Sequence, residues 1–465
     1  MATVSVESVA SQVVPGRARR VATSAVLLGL VVSTFEGTVV TGAMPTLVSE
    51  LGGEWLYGWV FSAFLLTSTV GVVIFGRLVD SWGRRPVFTL GMGLFLLGSV
   101  LCGFSHSVPQ LIFFRLIQGL GAGAIQPTTL TLAGDLYSLE ERARVQSLFT
   151  GASGAASVLG PLIGGYLVMH ASWRWVFWVN VPVGVLAVAL LLNSYRDPPR
   201  LQRRPDLLGP SLAGSSLALL SLAMERGPST LMWRSIAGVW ALALAGSFVF
   251  QQRRVVEPLL PRPLWQNQTV LSGLFGGLGA GAVLFSTSAY VPLWLSQHGQ
   301  HSALVAGAAL VPMLVGWSVG STHGVKVLVR AGMRVSETVA FSVALVGALA
   351  LTAVAWTSAS LPWAWAALFV LGLGLGPAAS SSTIGPQSCV EWSQRGVVTS
   401  MIYAMRLLGG ALGVVCVGLA HGQAAAQFGL IALIALVSAG VQLANVPARL
   451  CRFVRMELNS PTCTR

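Results

Sequence analysis

Apolar runs of roughly 18 to 25 residues recur along nearly the whole chain, each long enough to cross a hydrocarbon core about 30 Å thick. Charged residues make up 9% of the 465 and hydrophobic residues 54%, where a soluble domain carries about 25% charge. Backbone in lipid must satisfy its own polar groups, so runs of this kind fold as helices. The expected fold is an all-α, polytopic membrane protein. Breaks at charged, Pro, Gly and Asn positions predict about fourteen spans, near 21–45, 55–76, 86–105, 109–134, 144–168, 174–194, 207–224, 234–250, 268–295, 303–325, 335–356, 361–385, 397–420 and 425–446.

Charge placement supplies an orientation. With the amino terminus cytoplasmic, Arg174, Arg226 and Arg234 fall outside and Arg115 and Arg406 fall within helices. All other lysines and arginines then fall in inside segments, an asymmetry that sets both termini in the cytoplasm. The net charge of +13 is therefore a topology and anionic-lipid signal, and no nucleic-acid partner is expected. Residues 1–20 resemble a signal n-region, but the apolar run that follows is too long for a signal h-region, so the first span should stay attached. Cys102, Cys389, Cys416, Cys451 and Cys463 show neither metal-ligand spacing nor a disulfide framework.

Gly119, Leu120, Gly121 and Gly123 recur as Gly372, Leu373, Gly374 and Gly376, and the Gly76–Arg85 loop has a degraded partner at Gly324–Arg334 that lacks an acid matching Asp80. The echo predicts six spans, two intervening spans and six more, although Gly-rich faces also arise from close helix packing alone. The divisions are a cytoplasmic tail at 1–20, a bundle at 21–194, a linker with two spans at 195–266, a second bundle at 267–446 and a cytoplasmic tail at 447–465.

One residue violates the apolar pattern at depth. Glu36 lies in the first span, where a carboxyl costs roughly 2.5–3.5 kcal/mol on insertion scales. Such a group is either a proton or cation site, or a hydrogen-bonding residue between helices or beside a water-filled vestibule. Helix rise places Glu36 about 13 Å and Arg115 about 9 Å below the outer ends of their spans, so they can meet. Glu36 reads as the only carboxylate well inside a span, and Arg115 needs a buried partner. Trp173, Trp175 and Trp178 read as an interfacial aromatic belt in preference to a substrate box. Arg406, about 13 Å from the inner face, is a second cavity charge or a snorkelling side chain. His323 could relay protons or be structural, and His298 and His301 lie in an outer loop.

The loop Gly76-Arg-Leu-Val-Asp-Ser-Trp-Gly-Arg-Arg85 sets an acid among arginines at a tight turn, a cluster able to latch two bundles in one state. It resembles the signature between the second and third helices of the major facilitator superfamily. Arg115-Leu-Ile-Gln-Gly-Leu-Gly-Ala-Gly-Ala124 resembles that family's fourth-helix motif. Gly160-Pro-Leu-Ile-Gly-Gly165 resembles its antiporter motif, with Ala156 where Gly is usual. Trp173–Pro182, Asp206–Gly209 and Pro258–Pro261 are similar to the fourteen-span drug:proton antiporter subfamily, in which many members have Asp at the position of Glu36.

The resemblance implies a proton-coupled antiporter, two six-helix bundles with two extra spans, that exports amphipathic organic molecules by alternating access. It implies that Glu36 and Arg115 couple the proton, and that Gly76, Asp80, Gly83, Arg84, Arg85 and Asp135 form the cytoplasmic gate. Gly160, Pro161, Gly164 and Gly165 would bend or close-pack the fifth helix, and Phe35, Met44, Gln118, Gln126 and Arg406 are candidate cavity residues. No cofactor is expected beyond the proton, and the partners are a small-molecule substrate and the lipid bilayer of a bacterial inner membrane, with the chain monomeric. An exporter of one metabolite, amino acid or natural product is the alternative. A membrane-embedded enzyme or sensor lacks support, because the sequence shows no metal cluster and no nucleophile with a base.

Overall fold

In the computed structural model the described residues are 16–53, 56–137, 139–197, 208–224, 231–255, 264, 266–297, 303–357, 360–390, 392–420 and 423–445. The tail expected at 447–465, the stretches 206–207 and 258–261 of the linker motifs, and His298 and His301 lie outside them.

Helices make up most of these residues, joined by short turns. Helices α1 (Gly16–Leu51), α2 (Tyr57–Trp82), α3 (Arg84–Gly103), α4 (Val108–Leu136), α5 (Leu139–His170), the single turn α6 (Trp175–Trp178) and α7 (Asn180–Ser194) build a first bundle. Helices α8 (Leu208–Met224) and α9 (Leu231–Arg254) follow. A second bundle contains α10 (Gln268–Gln297), the short α11 (Ala303–Ala308), α12 (Val311–Thr357), α13 (Leu361–Gln387), α14 (Trp392–Gly418) and α15 (Ala424–Asn445).

Among the described residues, thirteen helices are long and apolar enough to cross a membrane. The expected seventh span, α8, has 17 residues and falls just short of that length. Large apolar side chains point away from the bundles, among them Leu97, Phe113, Val346 and Trp356, as lipid-facing residues must. The pair α8–α9 attaches through α2, with Gly214 against Val70, and α9 leaves Trp233, Trp240 and Leu242 exposed.

Helix starts follow local chemistry. At α4 the Ser107 hydroxyl accepts from the Gln110 amide, and the Gln110 side chain accepts from the His106 amide, which satisfies two otherwise orphaned donors beside Pro109. This cap fixes where α4 begins and so the depth of Arg115.

The sequence echo is a structural repeat. A β-carbon on Gly119 or Gly123 would strike α2 at Phe64 or Ser68, and one on Gly121 would strike α3 at Phe95. In the second half, Gly372 and Gly376 face the first part of α12 at Met313 and Trp317, and Gly374 faces the second part at Ala344. Small residues at these positions let three backbones meet in the same way twice. The turns match as well. Gly83 has φ 97° and ψ 166°, and Gly332, which breaks α12 into two spans, has φ 86° and ψ 171°. L side chains avoid that conformation, so glycine is required at both positions.

Candidate functional site

Glu36 lies in the middle of α1 with no solvent exposure, and Arg115 of α4 is 1% exposed. Arg115 Nη1 donates to Glu36 Oε1 at 2.5 Å, and Asn180 Nδ2 of α7 donates to Glu36 Oε2 at 2.5 Å. Both carboxylate oxygens are thus occupied by donors from two different helices. Arg115 also donates from Nη1 to Gln118 Oε1 at 2.7 Å and from Nε to the Val60 carbonyl at 3.3 Å. Its guanidinium carbon lies 4.2 Å from the centre of the Phe64 ring, a cation–π contact in a dry setting.

The network continues outward from the pair. Gln118 Nε2 donates to Ser99 Oγ at 3.0 Å, and Ser99 Oγ donates to the Phe177 carbonyl at 2.9 Å. Asn180 also donates to the Val176 carbonyl at 3.4 Å, which fixes its amide over Glu36. Helices α1, α2, α3, α4, α6 and α7 all contribute, so a change of charge on Glu36 is felt across the first bundle. A buried ion pair of this kind needs further hydrogen bonds to be stable, and here Asn180, Gln118 and the Val60 carbonyl supply them.

Asn180, Ser99 and the Val60 carbonyl were not legible as site groups in the sequence. The signal for Asn180 was its place as an amide near the start of the apolar stretch Trp175–Ser194, whose other amide, Asn193, stands at the opposite end. Of the three tryptophans expected to form an aromatic belt, Trp173, Trp175 and Trp178, only Trp175 is exposed. Trp173 is 1% exposed and donates from Nε1 to Glu50 Oε2 at 2.8 Å, and Trp178 packs on Phe104 and donates to the Val100 carbonyl. A tryptophan N–H under cover needs an acceptor, and α1 supplies one.

The glycine motif of α5 packs on the segment of α1 that carries Glu36. A β-carbon on Gly160 would strike Thr38 and one on Gly164 would strike the Val39 carbonyl. A β-carbon on Gly42 would lie 2.8 Å from the Pro161 carbonyl oxygen, 3.2 Å from the Gly165 nitrogen and 3.5 Å from Gly307 of α11. Helices α1, α5 and α11 therefore converge there with almost no side chain between them. Other contacts between the bundles lie in the same half of the molecule, the end remote from Gly16: Tyr57 donates to the Ala289 carbonyl at 2.7 Å, and Ser62 to the Ala411 carbonyl at 3.1 Å. A cavity of ≈ 270 Å³ at that end is lined by Pro45, Ser49, Tyr57, Leu293 and Gln297, and Glu36 is not part of its wall.

At the opposite end, the side chains of Asp80 and Asp135 lie outside the described residues. The acid seen on the turn is Asp197, just past α7. Its carboxylate accepts from the Arg84 amide at 2.5 Å and from the Arg85 amide at 3.3 Å, capping α3 at its positive end. Arg85 Nη2 donates to the Leu192 carbonyl. Gly83 lies against the same carboxylate, and Gly76 lies near Pro127 of α4. A second link at this end is the Arg19–Glu141 ion pair at 3.1 Å, with Arg19 over the Tyr137 ring.

Of the candidate cavity residues, Met44 is fully enclosed in the apolar core and Gln118 is taken up by the Arg115 network, so neither lines open space in this conformation. Phe35 and Gln126 are half-buried. Arg406 is held between α14 and α13, donating from Nη2 to the Ala379 carbonyl at 2.9 Å. His323 is exposed and bonded to its own helix at the Val319 carbonyl.

Two helical bundles with a glycine-built repeat and a sealed carboxylate–guanidinium pair define a membrane carrier of the repeat-built class. The family model described as Major Facilitator Superfamily matches residues 26–414, and the chain belongs to that family of transporters. It is 33% identical over 407 residues to the multidrug transporter protein MdtP of Bacillus subtilis (strain 168), covering 84% of this chain and 74% of the relative. It is 30% identical to multidrug resistance protein 3 of the same organism, covering 84% and 77%. The crystal structure of a D-xylose-proton symporter shares the fold at a TM-score of 0.68 and 14% identity, over 92% of this chain and 98% of that one. The chain is an integral, multi-pass membrane transporter.

Proposed function

We propose that this transporter is a proton-coupled antiporter that exports amphipathic organic compounds, with Glu36 as the coupling carboxyl and Arg115 and Asn180 as its partners. The observation that carries the reading is the fully enclosed Glu36 carboxylate whose two oxygens are both filled by donors from other helices. Protonation of Glu36 removes one acceptor from Arg115 or Asn180 and cancels the carboxylate charge that holds Arg115, so the donor helices can part from α1. Deprotonation draws them back. Proton and substrate then compete for one site as access alternates. The names of MdtP and multidrug resistance protein 3 support multidrug substrates for this chain.

In this reading both termini are cytoplasmic, α8 is the seventh span, at the short end of the usual range, and brings the total to fourteen, and the membrane is the inner membrane of a bacterium. The contacts of Tyr57, Ser62, Gly42 and Gly307 then close the outer side. Asp80, Arg84 and Asp135 latch the inner side in the alternate state. Phe35, Gln126 and Arg406 face the substrate path, and the chain works as a monomer without a cofactor.

The test is efflux of a fluorescent cationic dye from proteoliposomes under an imposed pH gradient. Glu36→Gln should abolish gradient-driven efflux while inserting and folding normally, and a wild-type rate in that variant overturns the coupling assignment. A substrate panel in an efflux-deficient host separates multidrug export from export of one natural product, a reading favoured by a 34% identical relative named methylenomycin A resistance protein, of which the chain covers 64%.

A further inference from the structure

The second bundle contains a carboxylate that the coupling scheme above does not use. Glu337 is the fifth residue after the Gly332 break, about 7.5 Å into the second part of α12 at 1.5 Å per residue. It has no solvent exposure, and neither carboxylate oxygen has a hydrogen-bond partner. The contrast with Glu36, whose oxygens are both filled, is sharp. Gly332 corresponds to Gly83 through their shared backbone conformation, so Glu337 occupies the place that Phe88 holds in the first bundle. The repeat has an apolar ring at this position in one half and an acid in the other.

The surroundings are polar but without charge. A β-carbon on Gly276 of α10 would lie 3.1 Å from Glu337 Oε1, 3.1 Å from Gln442 Nε2 of α15 and 3.0 Å from Ser382 Cβ of α13, so these groups meet over one glycine. The Gln442 amide nitrogen donates to the Ser272 carbonyl, and the Gln442 Oε1 and Ser272 Oγ atoms are themselves without partners. Ser336 and Ser381 bond to one another at 2.7 Å. Helices α13 and α15 contain no acidic or basic residue, and α10 contributes only Tyr290, at its other end. The nearest base on α12 itself is Arg334, one turn earlier, and Arg406 of α14 is engaged with Ala379 and Thr383. No ion pair to Glu337 exists among the described residues.

An ionised carboxylate sealed from water without a donor or a cation is strongly disfavoured, whereas the neutral acid can sit in such a place. We propose that Glu337 is a second proton-binding site: it holds a proton in this conformation and releases it when α12 moves against α10 and α15 and opens the Gly276 junction to water. Binding adds one proton to a carboxylate oxygen, and release returns it to the aqueous phase. The site itself stands on geometry alone. Its contribution to transport rests on the proposed antiport, where it adds a proton to each cycle.

Infrared spectroscopy of the purified full-length protein in lipid tests the site. The wild type should show the carbonyl band of a buried, un-ionised carboxyl group that is missing in both Glu337→Gln and Glu337→Met and still present in Glu36→Gln. In proteoliposomes, Glu337→Gln should export the same dye with one proton fewer per molecule than wild type. Absence of the band in wild type, its survival in both Glu337 variants, or an unchanged proton-to-dye ratio would each overturn the proposal. Failure of the antiport reading shows separately, as undiminished gradient-driven efflux by Glu36→Gln.

Discussion

At the scale of single residues, charge is tolerated in the hydrophobic interior because both oxygens of the Glu36 carboxylate are answered by donors from other helices. Arg115→Leu leaves the Glu36 carboxylate facing Asn180 alone, and breaking a buried pair in this way costs about 3–5 kcal/mol. The measurement is thermal or chemical unfolding in detergent, where Arg115→Leu should be destabilised and Glu36→Gln/Arg115→Leu less so than the single change. Asn180→Leu removes the donor to Glu36 Oε2 and should cost about 1–3 kcal/mol and slow efflux. Asn180→Leu with wild-type stability and rate would dismiss it as a partner. The pairing of Glu36 with Arg115 was legible in the sequence, because a lone acid and a lone base at similar helix depth have few other choices. Asn180 was not, since a neutral amide in an apolar run carries no charge to be balanced. Glu337 escaped notice for a different reason: the sequence sets the span start at 335, which makes the acid look like an end residue, whereas the helix restarts at Gly332 and buries it.

At the scale of elements, glycine decides how closely helices approach. Gly164→Leu would drive a side chain into the Val39 carbonyl on α1, beside the Glu36 segment. Transport by Gly164→Leu should fall at least tenfold, with Gly164→Ala intermediate, as measured by dye efflux at matched protein levels. The turn between α2 and α3 makes a second test. Gly83→Ala would be strained by its φ of 97°, at roughly 1–2 kcal/mol, and its β-carbon would also crowd the Asp197 carboxylate. Asp197→Ala should weaken the same cap by about 0.5–2 kcal/mol, and the double variant should cost less than the sum of the two. The loop motif pointed to this turn from the sequence, but Asp197 lies more than a hundred residues away and only folding brings it there.

At the scale of the whole molecule, the two bundles meet through backbone carbonyls and small residues at the end remote from Gly16, a seam that can separate without burying or exposing charge. A cysteine pair replacing Ser62 and Ala411 should form an oxidation-dependent bridge that stops transport and is reversed by reductant. Full transport with the bridge intact would show that this seam does not open during the cycle. The repeat seen in Gly119–Gly123 and Gly372–Gly376 was readable beforehand, because glycine spacing on a helix face is a local property. Which helix each glycine touches was not.

The sequence by itself determined that this chain lives in a membrane as many helices, that its two halves are related, and that an acid and an arginine in the first half answer one another. Apolar run length, glycine spacing and uncompensated charge are properties of short stretches, and short stretches are what a sequence displays. Only the tertiary structure decided that Asn180 completes the Glu36 site, that Asp197 caps the loop at Gly83, and that Glu337 sits sealed and unpartnered where its counterpart is Phe88. Each of those depends on helices far apart in the chain coming together, and the free energy that brings them there belongs to the packed bundle as a whole.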